Sequence, residues 1–338
     1  MSVSTASYSP LFPPKRAKTA GLVRNFRRVL LSLTLCVVSL TILVLNWKRW
    51  ASENPWASYN NTKPISAEPR EAYATLLSTR PSSPDSIDHY FLSTRLLIHR
   101  LRHDAQTRTT LSRDIIILVT PSVSEAKRRI LTLDGAIVKE VPRIYPSALH
   151  KLGKPKPQWM DCWTKLHLWN FTSYDSIFYI DGDILPLRNL DPLFTTISRQ
   201  RFNQPPNYFD FAAPLDMLPN RRHLPTFNAG MMLFRPSSER LMSFLRWANN
   251  ITQYDTSFME QGFLNYYYGD HYVKFAAEVS GNWVRDLKLL EEEGLWTVHE
   301  KYWLLKEDGK EGQVRRLFEE GIRGLRKYTR EELDRAVV

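Results

Sequence analysis

Hydrophobic and polar positions change rhythm several times along the 338 residues. Val29–Leu45 is apolar or hydroxylic throughout and carries no charge. Its about 17 residues, at ~1.5 Å each, span about 25 Å, enough for a thin bilayer. A cleaved signal peptide and a buried core helix are the other readings of such a run. Leu45-Asn46-Trp47-Lys48-Arg49 offers no small-x-small cleavage site, and the run has no polar face beyond Ser and Thr, so a membrane anchor is expected. Further on, Ala72–Thr79, Asp114–Thr120, Gly135–Val141 and Ser176–Ile180 are short runs rich in β-branched and aromatic residues. They read as buried strands. Between them, Phe91, Leu92, Leu96, Leu97 and Leu101 recur at helical spacing within Tyr90–Arg102. Ser122–Leu133 reads as a helix capped by Ser122 or Ser124, and Asp161–Trp169 as another. The alternation predicts a parallel sheet with right-handed crossovers, an α/β fold. Leu190–Phe194 looks like a short helix, Phe209–Pro214 and Gly230–Phe234 like strands, and Glu239–Asn249 and Gln261–Tyr268 like helices. Val284–Leu290 has no clear pattern. Lys306–Arg335 is densely charged, with Leu317, Ile322, Leu325 and Leu333 at loose helical spacing; a surface helix pair and an unstructured tail both fit.

Composition narrows the class. Hydrophobic residues make up 43% and aromatics 12%, which supports a sizeable core. The formal charge of +11 raises nucleic-acid binding. The basic residues gather at the two ends, in Lys15–Arg28 and Lys301–Arg335, and do not form one stripe interleaved with aromatics, so no nucleic-acid partner is expected. Neither of the two cysteines, Cys36 and Cys162, belongs to a metal-binding pattern. Charge also orients the anchor. Lys15, Arg16, Lys18, Arg24, Arg27 and Arg28 precede it and only Lys48 and Arg49 follow, which keeps the N-terminal side cytosolic and the rest lumenal. Three Asn-x-Thr sequons, at Asn60, Asn170 and Asn250, agree with a lumenal side. The expected layout is a cytosolic basic tail (1–28), a transmembrane anchor (29–47), a stem (48–70), a globular domain (71–306) and a charged C-terminal tail, helical or disordered (307–338).

The candidate chemistry lies where Ser176–Ile180 runs into Asp181-Gly182-Asp183. Two carboxylates at the carboxyl end of a buried strand occupy the edge where open α/β sheets bind ligands. Hard divalent cations prefer such oxygen donors and can bridge to phosphate. A turn with two solvated acids is the plainer alternative. The chain has neither a Gly-x-Gly-x-x-Gly fingerprint nor a P-loop.

Four stretches in order carry a resemblance. They are Asp161-Cys162-Trp163-Thr164-Lys165-Leu166, Tyr179-Ile180-Asp181-Gly182-Asp183 with Asn189–Phe194, Phe227-Asn228-Ala229-Gly230, and Glu260-Gln261-Gly262-Phe263-Leu264-Asn265. Together they resemble the glycogenin-like glycosyltransferases, family 8, over about Tyr73 to Trp303, and are most similar to fungal Golgi members. The resemblance implies a GT-A type fold with a mixed, mostly parallel sheet flanked by helices. It implies metal binding by Asp181 and Asp183, most often of Mn²⁺ (or Mg²⁺), and a UDP-sugar donor. It assigns Lys165 to the donor phosphates, Asn228 and Gln261 to the donor sugar or acceptor, and Leu76, Ser78 and Tyr90 to the nucleotide. Glu260 stands where the family has aspartate and would orient or stabilise the reacting sugar. A late histidine completes the family's metal site; His299 fits that place, with His271 as competitor. The usual Gly and Lys-Pro-Trp after it are missing here, and Lys301 stands as a substitute phosphate lysine.

The reading is therefore a metal-dependent retaining glycosyltransferase, single-pass and type II in the Golgi or ER membrane, with its catalytic domain lumenal. It would move a sugar from a UDP-sugar, UDP-GlcNAc or UDP-Glc foremost, to a glycan, protein or lipid acceptor. Two alternatives stand beside it. A haloacid-dehalogenase-type phosphohydrolase also places Asp-x-Asp after a strand, but there the strand opens the domain, whereas here it lies about 100 residues in. The other is a catalytically inactive, membrane-anchored binding protein.

Overall fold

The computed structural model describes residues 69–78, 88–152, 160–198, 210–217, 223–282 and 287–337. The expected tail, anchor, most of the stem and the Asn60 sequon lie outside the described residues. Among the described residues no helix is long and apolar enough to cross a membrane.

Among the described residues, twelve strands run in chain order: β1 (Glu71–Leu77), β2 (Asp114–Val119), β3 (Ile137–Glu140), β4 (Ser176–Ile180), β5 (Ile184–Pro186), β6 (Phe211–Ala213), β7 (Leu215–Met217), β8 (His223–Phe227), β9 (Met231–Phe234), β10 (Val273–Lys274), β11 (Gly281–Asn282) and β12 (Thr297–His299). The main helices are α1 (His89–Arg102), α2 (Glu125–Leu133), α3 (Ser238–Trp247), α4 (Met259–Tyr268), α5 (Leu287–Glu292) and α6 (Gly309–Val337). Seven strands form the central sheet in the order β10-β6-β9-β4-β1-β2-β3. β1 pairs parallel with both β2 and β4, as the strand–helix alternation predicts, and β9 runs antiparallel to β4 and β6. The sheet is mixed and mostly parallel. β2 and β4 are buried on both faces, which is why they are continuous apolar runs.

Helix starts follow their caps. The Asp88 side chain accepts from Phe91 N at 3.0 Å and Ser237 from Arg240 N at 3.2 Å. Of the two serines expected before α2, Ser124 is the cap. The stretch expected as a helix around Asp161–Trp169 is a 3₁₀ helix, Cys162–Asn170. Its period of three sets Trp163, Leu166 and Trp169 into the core, while Cys162 and Lys165 face the cavity described below. Trp169 stacks on Phe234 of β9 with ring centroids 3.8 Å apart.

Asp191, within one of the resembling motifs, is structural. It is buried, accepts from Tyr73 Oη at 2.8 Å and Thr110 N at 2.8 Å, and pairs with Arg113 at 2.8 Å. The charged C-terminal stretch is one helix, α6. Its Val314, Phe318 and Ile322 pack with Leu96 of α1, Leu185 of β5 and Val298 of β12.

Candidate active site

The carboxyl ends of β1 and β4 open into one cavity of about 270 Å³. Leu76, Ser78, Tyr90, Lys165, Asp181, Asp183, Asn228, Glu260, Gln261, His299 and Lys301 all line it. Every site residue expected from the sequence is thus gathered at one place. The competitor His271 is exposed on the turn after α4 and is not among the lining residues.

Strand register builds the acidic centre. β4 and β9 pair with Ile180 opposite Met231, which sets Asp181 beside Gly230, with Asp181 N donating to Gly230 O at 2.7 Å. A side chain at Gly230 would force the site's own side chains to shift. Its Cβ would lie 2.7 Å from His299 Cε1 and 2.9 Å from Asp181 Oδ2. His299 arrives from the other side, because β12 pairs antiparallel with β5 and sets it opposite Ile184. One ligand atom each from Asp181, Asp183 and His299 lie within 4.8 Å of one another. Two carboxylates and an imidazole suit a divalent cation such as Mn²⁺ better than a soft one. The glycine-lined cradle leaves them room, so these residues fit the ion that the resemblance implies.

The charges around this trio are balanced. His299 Nε2 lies 3.2 Å from Asp183 Oδ1, and Lys301 Nζ 3.0 Å from Asp183 Oδ2. Burial works against the Asp183 carboxylate, but His299 and Lys301 outweigh it and hold its pKa far below the usual range. Burial likewise opposes charge on His299, yet Asp183 raises its pKa above the ordinary value. Lys165 is 2% exposed, and Nζ reaches Asp181 Oδ1 at 3.2 Å, Glu260 Oε1 at 2.9 Å and Ala229 O at 3.3 Å. That uses all three of its N–H groups. Tyr179 Oη donates to the same Asp181 oxygen. Burial raises the pKa of Glu260 despite the lysine beside it.

Sequence reasoning missed the hub next to this centre. Asp216 on β7 is buried and accepts from Asn228 Nδ2 at 3.1 Å, Gln261 Nε2 at 3.0 Å and Asn282 Nδ2 at 3.3 Å. The amide oxygens are fixed too: Gln261 Oε1 accepts from Ala229 N at 3.0 Å and Asn228 Oδ1 from Gly230 N at 2.8 Å. The one signal in the sequence was an aspartate directly after the apolar run Phe211–Leu215.

The turn before α4 is under strain. Met259 has φ +50° and ψ −130°, a backbone region that favours glycine. Three residues on, a Cβ at Gly262 would lie 2.0 Å from Asp255 O. Close approach of the turn to the helix therefore requires glycine there, and it fixes where Glu260 and Gln261 project. At the opposite wall, Ser78 Oγ donates to Asp161, whose other oxygen pairs with Arg143 at 2.8 Å. Tyr90 packs edge-on against Trp303, ring centroids 4.9 Å apart, and burial pushes its phenol up to about 12. Cys162 also lines the cavity; burial, with Glu260 next, keeps its thiol protonated.

The family profile described as Glycosyl transferase family 8 matches residues 87–278, more than half of the chain. Galactinol synthase 1 of Solanum lycopersicum is 34% identical over 169 residues, covering 47% of this chain and 51% of that protein. An uncharacterized protein of Schizosaccharomyces pombe is 28% identical over 275 residues, covering 67% of this chain and 71% of that one. The chain thus spans about half the length of the galactinol synthases it matches. Among solved structures, the apo-form glycosyltransferase GlyE of Streptococcus pneumoniae superposes with a TM-score of 0.48 at 12% identity, over 78% of this chain and 64% of that one. The profile match contains Asp181, Asp183, Tyr90, Lys165, Asn228, Glu260 and Gln261, while Leu76, Ser78, His299 and Lys301 lie beyond its ends. On that match the chain belongs to glycosyl transferase family 8.

Proposed function

We propose that this chain transfers a sugar, with retention of anomeric configuration, from a UDP-sugar to a hydroxyl-bearing glycan, protein or lipid acceptor. One observation carries the reading. Asp181, Asp183 and His299 converge at the carboxyl edge of the sheet, with the Lys301 ammonium on the same Asp183. Those three residues would hold Mn²⁺ or Mg²⁺, which when bound supplies Lewis-acid neutralisation of the departing diphosphate. Lys301 has its side chain 32% exposed and is the cation able to swing from Asp183 to a phosphate oxygen. Lys165, with three protein acceptors, acts instead by fixing Asp181 and Glu260 against each other. Asn228 and Gln261, locked by Asp216, turn their remaining N–H groups toward sugar hydroxyls. Leu76, Ser78 and Tyr90 form the wall for the nucleoside. Glu260 lies within the buried charge network beside the reacting sugar and is kept there by Lys165.

The setting belongs to the same proposal: an N-terminal anchor at Val29–Leu45 and a catalytic domain in the lumen of the Golgi or ER. Asn250 is exposed in the turn after α3, whereas Asn170 Oδ1 accepts from Ser238 Oγ at 2.7 Å. A lumenal domain would carry its N-linked glycan on Asn250. The donor sugar is tested directly. Purified full-length chain is given UDP-GlcNAc, UDP-Glc, UDP-Gal and UDP-glucuronic acid with and without Mn²⁺, and UDP release is scored. The expected result is metal-dependent release from one donor, lost in Asp181→Ala and Asp183→Ala. Release of phosphate from simple phosphate esters instead would point to a hydrolase.

A further inference from the structure

We propose that Asn282 is a positioning residue for the metal-side histidine: it fixes the tautomer of His299 and thereby sets the affinity of the Asp181–Asp183–His299 site for a divalent cation. The inference rests on the reading of that trio as a metal site. Asn282 is 1% exposed on β11, and the parallel β11–β12 ladder sets it directly opposite His299. Its side-chain amide has a donating end and an accepting end, and the neighbours decide which faces which way. Nδ2 lies 3.3 Å from Asp216 Oδ1. Asp216 already receives the side-chain N–H groups of Asn228 and Gln261, so it acts there as an acceptor, and only the amino end of Asn282 can face it. The amide oxygen is therefore turned to His299 Nδ1, 3.1 Å away, and also accepts from Ser280 Oγ at 3.1 Å.

An amide oxygen cannot donate, so Nδ1 must carry a hydrogen. In the neutral ring the lone pair is then on Nε2, the nitrogen that faces Asp183 Oδ1 at 3.2 Å. A ligating histidine held through its other nitrogen keeps both its tautomer and its ring orientation. The same bonds link the two halves of the cavity. Gln261 and Asn228 meet Asp216, Asp216 meets Asn282, and Asn282 meets His299. Asp216 thus orients the sugar-side amides directly and the metal side through Asn282.

The test measures Mn²⁺ binding to the metal-stripped full chain by electron paramagnetic resonance of free Mn²⁺, independent of turnover. Asn282→Ala should weaken binding about 10–100-fold, the range typical for loss of a partner behind a metal ligand. Asn282→Asp can share one proton with Asp216 and still accept from Nδ1, so it should stay within a few-fold of wild type. If wild type binds and Asn282→Ala binds equally well, or if the Asp variant loses as much as the Ala variant, the inference falls and the metal reading stands. If wild type takes up no Mn²⁺, both fall together. Should Asn282→Ala fail to fold, long-range ¹H–¹⁵N spectra of metal-free wild type decide the matter. His299, identified by its absence in His299→Gln, is expected as the Nδ1–H tautomer once the ring is neutral; an Nε2–H tautomer overturns the proposal.

Discussion

Lys165 and Glu260 have side chains 3% and 6% exposed, and the lysine also holds Asp181. Removing the ammonium would leave a buried carboxylate without its counter-charge, a loss of about 3–5 kcal/mol for a broken buried pair. Lys165→Met is accordingly expected to shift the urea midpoint strongly downward and to abolish sugar transfer. A variant with wild-type stability would show that solvent already screens this pair. Not all of these residues were equally legible in the sequence. Asp181 and Asp183 stood out because two acids end an apolar run. Lys165, Asn228 and Gln261 are ordinary surface residue types that only motif order made visible. Asp216 showed only as an acid after a short apolar run and Asn282 left no trace, since each is a single polar residue on a short strand and gains its meaning from partners distant in the chain.

Among the elements, the turn leading into α4 is the most exacting. Met259 sits in a glycine-favoured conformation and the Asp255 carbonyl lies against Gly262. Gly262→Ala has to push the turn away from the helix. Overpacking of this kind costs about 1–3 kcal/mol, and here it also moves Glu260 and Gln261. The expected outcome is a lowered melting temperature together with loss of transfer; unchanged activity would mean the turn does not set those side chains. The central strands β1, β2 and β4 were readable because buried parallel strands are unbroken apolar runs, whereas β5, β7, β8 and β10 to β12 were not read, being too short or too polar to show a pattern. The 3₁₀ helix at Cys162–Asn170 was harder to read: its spacing of tryptophan, leucine and tryptophan every third residue fits a loose α pattern as well. α6 was harder still, because its dense charge hides a stripe of buried residues that meets α1, β5 and β12.

For the molecule as a whole, titration of the histidines gives stability a pH dependence. Burial lowers the pKa of His89, His99, His103 and His167 from the ordinary 6.5, while His299 is raised. For the lowered four, the unfolded chain binds protons more readily than the folded one. Their contribution is complete above about pH 6.5 and is lost as pH falls from there through their folded values. His299 has the opposite sign: its contribution is present below 6.5 and fades as pH rises through its raised value. Four groups against one predict a melting temperature that drops between pH 7 and pH 5, and a flat or rising profile would contradict this. His99 and His103 both lie against Tyr328 of α6, with ring centroids 5.4 and 4.1 Å away, so the C-terminal helix should be the first part to respond.

The small sheet β11-β12-β5 has a topological consequence as well. Asp183 leads into β5 and His299 ends β12, about 115 residues later in the chain. An ion clasped between them is in polymer terms a removable cross-link that closes a very long loop, and its loss returns to the chain entropy that it had withheld. Chelation should then loosen the chain between Asp183 and His299 more than the rest. Limited proteolysis should cut first between Gln261 and His299 after chelator treatment, and added Mn²⁺ should restore resistance. Identical digestion with and without chelator would mean that the strands hold the loop closed unaided.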